Sequence, residues 1–394
     1  MAEQVLPGIN SFLSEAALYK NKRLAIVTND AAKTNGGILS RVALIQHGFK
    51  LVKNFSPEHG ISVKGADGTF QQNTTDLATG LPVISLYGNH MSPTEEDLSD
   101  IDIVLFDIPD VGCRFYTYLW TMTYVMEACA LHGKQLIILD RPNPIGGNMA
   151  MAEGPMLDEV NCSSFIGRWS IPVRHCCTLG ELALYFSATR IKALARKNSF
   201  GDLKVIPVKN WQRYQLAGTP GFDFYPTSPA IKNSTTALLY PGTGLLEGIY
   251  INEGRGTDNP FSVLGAPWID AEKLLNAIQS KNLPGILFRP CSYTPTDSLY
   301  KGEKCNGLEL VIVDALSFHP VSTGIELLKT LFHLFPAEIK ERLYITRANP
   351  SGGGHLDKLL GVKNAFEKIK SGIDPDTDIS NLWPVGLSPF LLYY

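Results

Sequence analysis

The chain has 394 residues, 44% of them apolar, enough to bury a large core and to build two domains. Its 35 basic and 38 acidic residues give a formal charge of −3 and are interspersed without basic blocks, which excludes a general nucleic-acid binder. No apolar stretch approaches the roughly 20 residues of a membrane span.

In chain order, the opening "MAEQVLPGINSFLSEAALYK" lacks the basic start and apolar centre of a signal peptide. A cytoplasmic location is expected for the sequence as it stands, and a periplasmic or secreted one if a leader has been removed. Five apolar, β-branched runs follow: "RLAIVTN", "KLVKNFS", "PVISLYG", "DIVLFDIP" and "QLIILDRP". Segments of helical period separate some of them, such as "GILSRVALIQHG" and "LWTMTYVMEACALHG", the latter closed by Gly133. Continuous apolar strands alternating with helices predict an α/β domain with a doubly wound, mostly parallel sheet covered on both faces.

Further on, "IPVRHCCTLGELALYF" and "LKVIPVKNW" predict two more strands, with a helix from about Leu179. Residues 225–261 are rich in Gly, Pro and Thr and predict long ordered loops. A second, smaller α+β region begins with the helix "WIDAEKLLNAIQ" and continues through the strand "GLELVIVDA" and the helix "GIELLKTLFHLF". The expected domains are residues 1–260 and 261–394, the second completing the pocket. The seven cysteines show neither CxxC nor zinc-ligand spacing and read as mostly buried thiols of a reducing compartment.

Ligands of such a sheet bind outside the carboxyl ends of its strands. The polar residues there are Asn29 and Asp30; Glu58 and His59; Tyr87, Asn89 and His90; Asp107, Asp110 and Arg114; Asp140, Arg141 and Asn143. The first strand-to-helix turn, "NDAAKTNGG", lacks GxGxxG, and neither GxxxxGK[ST] nor GxSxG occurs. Dinucleotide, P-loop and serine-hydrolase chemistry are therefore disfavoured, and no cofactor is called for.

In "NFSPEHG", Pro57 biases Ser56 towards extended geometry and Gly60 permits a left-handed turn, so Glu58 can be held at the sheet's edge. That suits an acid in a partly closed pocket, and equally a solvated turn residue. His59 beside it reads first as structural. "FDIPDVGCRFYTYLW" groups Asp107, Asp110, Arg114, Tyr116 and Tyr118. Rings beside charged groups suit a sugar pocket, since rings cover apolar sugar faces while charged groups bond the rim. A strand-to-helix junction with an internal ion pair is the plainer alternative. Asp140, Arg141 and Asn143 in "LDRPNPIGG", Glu153, Arg174, His175 and Glu181, and Glu253 and Arg255 in "EGRGT" add charge in turn contexts. Glu181 falls in a helix's first turn, where the dipole alone favours a carboxylate.

The ordered set "SPEHG", "FDIPDVGCRFYTY", "DRPNP", "EGP", "PVRHCCTLGE", "YPGTGLLEG" and "NEGRGT" resembles the NamZ-type exo-β-N-acetylmuramidases, glycoside hydrolases that remove terminal N-acetylmuramic acid (MurNAc) from the non-reducing ends of peptidoglycan fragments. The resemblance covers nearly the whole chain. It implies a Rossmann-like N-terminal domain, a smaller C-terminal domain, a pocket near their junction, and a muropeptide or MurNAc-GlcNAc saccharide as substrate. It also implies Glu58 as the catalytic general acid, with His59, Asp110, Arg114, Tyr116, Asp140, Arg141, Asn143, His175, Glu253 and Arg255 lining the pocket. Two departures are "CC" after the histidine and "SPAIK" at residues 228–232.

On that reading Glu58 protonates the glycosidic oxygen. Asp110, Asp140 and Glu253 are candidates for a second carboxylate, unless the substrate's 2-acetamido group replaces it. Arg114, Arg141 and Arg255 are candidates for the lactyl carboxylate of muramic acid. The rival readings are a metal-dependent hydrolase built on Glu58 or His59 with Asp107 and Asp110, and a peptidoglycan-binding protein without turnover.

Overall fold

The computed structural model describes residues 3–193, 203–346, 349–375 and 382–394. Strands β1 (Leu24–Thr28), β2 (Leu51–Ser56), β3 (Thr74–Thr75), β4 (Pro82–Ser85), β5 (Ile103–Asp107), β6 (Gln135–Leu139) and β7 (Leu203–Ile206) form one sheet in the order β3-β4-β2-β1-β5-β6-β7. Every pairing is parallel except that of the short β3 with β4.

Each central strand divides its side chains between two cores with the period of two that a pleated strand imposes. Ala25 and Val27 of β1, Val104 and Phe106 of β5, and Leu136 and Ile138 of β6 enter the larger core, beside the Thr117–Leu131 helix. Leu24 and Ile26, Ile103 and Leu105, and Ile137 and Leu139 enter the second, with Ile9 and Phe12 of the Gly8–Glu15 helix. The apolar runs are continuous because both faces of the sheet are buried. Among the described residues no helix is long and apolar enough to cross a membrane.

A smaller antiparallel sheet follows, with β8 (Val263–Ala266), β9 (Ile286–Tyr293) and β10 (Cys305–Ile312) in the order β8-β10-β9. The Ala271–Gln279 and Pro320–Leu334 helices accompany it. The larger core runs on without interruption into this part through Phe261, Leu264, Leu308 and Leu331.

Two expected elements differ. Residues 171–177 are buried but form no strand: Arg174 exchanges main-chain hydrogen bonds with Glu153, Val173 accepts from the Arg114 amide, and Cys176 turns the chain with φ 57°. Their burial comes from packing between segments rather than from a ladder. Within residues 225–261, expected as loops, Ser234–Thr243 is a helix capped by the Asn233 side chain and contains Pro241. It lacks a helical period because residues 236–243 are buried on every side. It meets the Pro320–Leu334 helix where Gly242 and Gly324 bring the two backbones so close that a Cβ on either would strike the other chain.

Candidate active site

The chain leaves β1 towards β2 on one side and β5 on the other, so the carboxyl edge of this sheet is where a ligand site is expected. At the end of β2, His59 and Gly60 both adopt left-handed backbone, with φ of 68° and 70°. The chain therefore turns away at once and leaves the Glu58 side chain at the edge, only 7% exposed. Its Oε1 accepts from the Gly68 amide at 2.7 Å, and its Oε2 lies 2.7 Å from the Thr117 hydroxyl. Thr117 opens a fifteen-residue helix, whose positive dipole end faces negative charge at this point. Burial raises the Tyr87 phenol above its ordinary value, and the charge of Glu58 and a hydrogen bond to it raise it further.

Glu58 lines a cavity together with Tyr87, Phe115, Tyr116, Phe165, Tyr240, Phe261 and Tyr344. The aromatic walls suit the apolar faces of a sugar ring. His59 joins the wall, its Nδ1 2.8 Å from the Gly65 carbonyl. Tyr116 also lines it and donates to Thr227 at 2.8 Å.

The charged wall comes from segments far apart in sequence. Arg255 pairs with Asp67, with Glu247 at 2.8 Å and with Glu253 at 3.0 Å. Burial works against its charge, but these carboxylates hold it well above the ordinary guanidinium value. Burial pushes Glu247 up to about 7 against the pull of Arg255, and Glu253 and Asp67 push the same way. Glu247 therefore keeps a proton into the neutral range. The Asp67–Arg255 pair also fixes the 59–68 loop, which places the Gly68 amide on Glu58. Neither Asp67 nor Glu247 stood out in the sequence, although Glu247 is the last residue but one of "YPGTGLLEG". Tyr344, whose hydroxyl lies 3.3 Å from Glu247, continues the wall with Asn349, His355 and Lys358, and only the glycines before His355 marked that segment.

Among the expected site residues, the structure brings Glu58, His59, Tyr116 and Arg255 to this cavity. Glu253 is fully buried behind Arg255 and pairs also with Arg342 at 3.2 Å. Arg114 stays outside: fully buried, it donates to the carbonyls of Pro155, Ile171 and Leu359 at 2.6, 2.7 and 3.0 Å. Burial lowers it to about 10, and it acts as a clamp between distant segments.

Asp140 lies beneath the edge, where it accepts from Thr178, Gly180 and Tyr393 at 2.7, 2.8 and 2.5 Å. Burial pushes its carboxyl up to about 6 against those bonds. Asn143 bonds the Cys177 carbonyl at 3.0 Å and shapes its own turn. Asp110 and Arg141 line a separate cavity. There Arg141 is tied to Asp107 at 2.6 Å, and Asp110 lies 3.6 Å from His175, which is itself fully buried.

The donors of the metal reading are thus divided between two sites, and among the described residues no group of three or more His, Cys, Asp or Glu could hold an ion. Glu181 closes a capping box with Thr178, as its helix position predicts. Six of the seven cysteines are buried, and all are free thiols.

Comparison with known proteins supplies the context for this geometry. The N-terminal domain of the exo-β-N-acetylmuramidase NamZ family matches residues 24–235, and its C-terminal domain matches residues 238–391. A Bacillus subtilis protein, the peptidoglycan β-N-acetylmuramidase NamZ, is 37% identical over 382 residues, 96% of this chain and 86% of that protein. Two crystal structures of DUF1343 family proteins from Bacteroides fragilis are also similar. One superposes with a TM-score of 0.82 at 28% identity, covering 100% of both chains. The other gives 0.73 at 29% identity, covering 99% of each.

Proposed function

The chain belongs to the exo-β-N-acetylmuramidase NamZ family and is a glycoside hydrolase of peptidoglycan fragments; within that activity we propose that Glu58 is the general acid and that the cavity around it receives the terminal N-acetylmuramic acid of a muropeptide or MurNAc-GlcNAc substrate. The observation that carries this reading is the setting of Glu58, a buried carboxyl on the wall of a ring-lined cavity with a different partner for each oxygen.

The Gly68 amide can only donate, so Oε1 serves as an acceptor. Thr117 carries a hydroxyl that can turn to accept, so Oε2 is the oxygen able to hold the transferable proton. As the glycosidic bond breaks through an oxocarbenium-like transition state, that proton passes to the leaving oxygen. The carboxylate left behind is met by the Gly68 amide, the Thr117 hydroxyl, Tyr87 and the helix N-terminus. Asp67 and Glu247 are the other carboxyl groups on the wall and the candidates for the second role, which Glu247 can fill only in its deprotonated form. A wide groove shares Asp67, Ala230, Arg255 and Tyr344 with the cavity, and it suits the rest of the saccharide, as exo-action on a chain end requires.

The test uses a chromogenic N-acetyl-β-muramide and the MurNAc-GlcNAc disaccharide with the wild type and Glu58→Gln. Loss of the acid is expected to lower kcat by about 10²–10⁴ on the disaccharide. The loss should be smaller on the chromogenic substrate, whose leaving group needs less protonation. Equal rates for variant and wild type on the disaccharide would remove Glu58 from this role, and binding without turnover by the wild type would support the non-enzymatic reading.

A further inference from the structure

Muramic acid differs from glucosamine by a lactyl ether on O3, whose carboxylate is ionised at neutral pH. A cavity selective for it should hold a cation not already opposed by a carboxylate. None of the arginines singled out in the sequence meets that condition. Arg114 is outside the cavity on main-chain carbonyls, and Arg141 is paired with Asp107 in the other cavity. Arg255 reaches the wall but already faces Asp67, Glu247 and Glu253. A further anion beside it would be repelled.

Lys358, also on the wall, is different. Lys358 donates through Nζ to the side-chain oxygen of Asn349 at 2.6 Å and to the Gly353 carbonyl at 3.0 Å, both neutral acceptors. An ammonium carries three N–H groups, so one remains for a ligand. Among the described residues no carboxylate forms an ion pair with Lys358, although it lies on the cavity wall. His355, one turn earlier, is 6% exposed and stacks on Tyr344 with ring centroids 4.3 Å apart. Its Nδ1 is buried without a hydrogen-bond partner. A cation with a spare donor, beside an imidazole nitrogen with no partner, is an arrangement that a bound carboxylate would complete.

We propose that Lys358 is the specificity residue that takes the lactyl carboxylate of the terminal N-acetylmuramic acid, with His355 and Asn349 fixing its approach. The proposal rests on the cavity being the subsite for that sugar. It places the sugar's O3 side towards Lys358 and leaves the Glu58 side for the glycosidic oxygen. Recognition by a single charged donor also means that the free acid is favoured over forms in which the carboxyl is esterified or amidated, so of the two substrates a peptide-free MurNAc-GlcNAc end is favoured over a muropeptide whose lactyl carboxyl carries the stem.

The experiment compares a chromogenic N-acetyl-β-muramide with its lactyl methyl ester, using the wild type, Lys358→Met and Lys358→Arg. The readout is the ratio of kcat/KM for acid over ester. In the wild type this ratio should favour the acid, and in Lys358→Met it should fall about ten- to a hundredfold, the scale of one charge-assisted hydrogen bond. The change should lie mainly in KM, and Lys358→Arg should restore part of it. A folding or packing defect would depress both substrates and leave the ratio unchanged, and an unchanged ratio overturns the proposal. A wild type inactive on both substrates would instead overturn the reading of the cavity itself.

Discussion

Glu247 makes a quantitative prediction because its burial and its charge partners act against each other. The carboxyl is 4% exposed, and burial, opposed by Arg255 and aided by Glu253 and Asp67, raises it from an ordinary 4.5 to about 7. A carboxyl raised in the folded state binds its proton more tightly there than in the unfolded chain. Its contribution is therefore fully present below about pH 4.5 and is lost as the pH rises through about 7. At 1.36 kcal/mol for each pH unit, that interval corresponds to about 3 kcal/mol.

Glu247→Gln mimics the protonated form and keeps an oxygen for Arg255, so its stability should lack this fall. The difference between wild type and variant should vanish towards pH 4.5, and the variant should be the more stable by about 3 kcal/mol above pH 8. Urea unfolding at half-unit steps between pH 5 and 8.5 measures the difference. Asp140, raised to about 6 by burial at a separate site, titrates in both proteins and cancels in the comparison. A constant difference between the two proteins across the range would refute the reasoning.

Asp67→Asn should free the 59–68 loop from Arg255, which Glu247 and Glu253 still hold, and steady-state kinetics should show a loss of about ten- to a hundredfold, mostly in kcat, as one charge-assisted hydrogen bond is worth about 1.5–3 kcal/mol. An unchanged kcat would mean that the loop needs no latch. Arg114→Met leaves three buried carbonyls without their donor and should destabilise the fold by about 3 kcal/mol, read by chemical denaturation; a neutral result would show that the clamp is replaceable. Full activity should persist after exhaustive dialysis against a chelator, because the described residues offer no metal-binding group. A loss restored by a divalent ion would revive the metal reading.

The strands of the main sheet other than the short, exposed β3 were legible because they carry apolar, β-branched runs, unbroken in β1 and β5 where both faces are buried. No strand was expected at β3, β8 or β9, and two further parts of the fold were misread. Residues 171–177 carry the composition of a strand but meet only irregular partners. The Ser234–Thr243 helix is buried all round, so it shows no period, and it contains a proline. Composition reports burial, whereas only the neighbours decide which element the buried residues form.

The site divides along the same line. By itself the sequence determined that a glutamate, Glu58, follows β2 at a turn formed by a proline and a glycine, because local backbone preferences act over a few residues. It also determined that the rings of "CRFYTY" follow β5. Which charges meet Glu58 was decided by tertiary structure alone. Asp67, Glu247 and Arg255 converge across nearly two hundred residues, while Arg114, Asp140 and Asn143, equally prominent in their motifs, turn inward to bond the protein's own backbone. Lys358 lies still further along the chain and stands on the wall with neutral hydrogen-bond acceptors and, among the described residues, no ion pair. A charge in a motif shows that a charge is needed, but whether it serves the fold or a ligand depends on whether a partner stands within hydrogen-bond reach, and that is fixed only when distant segments pack.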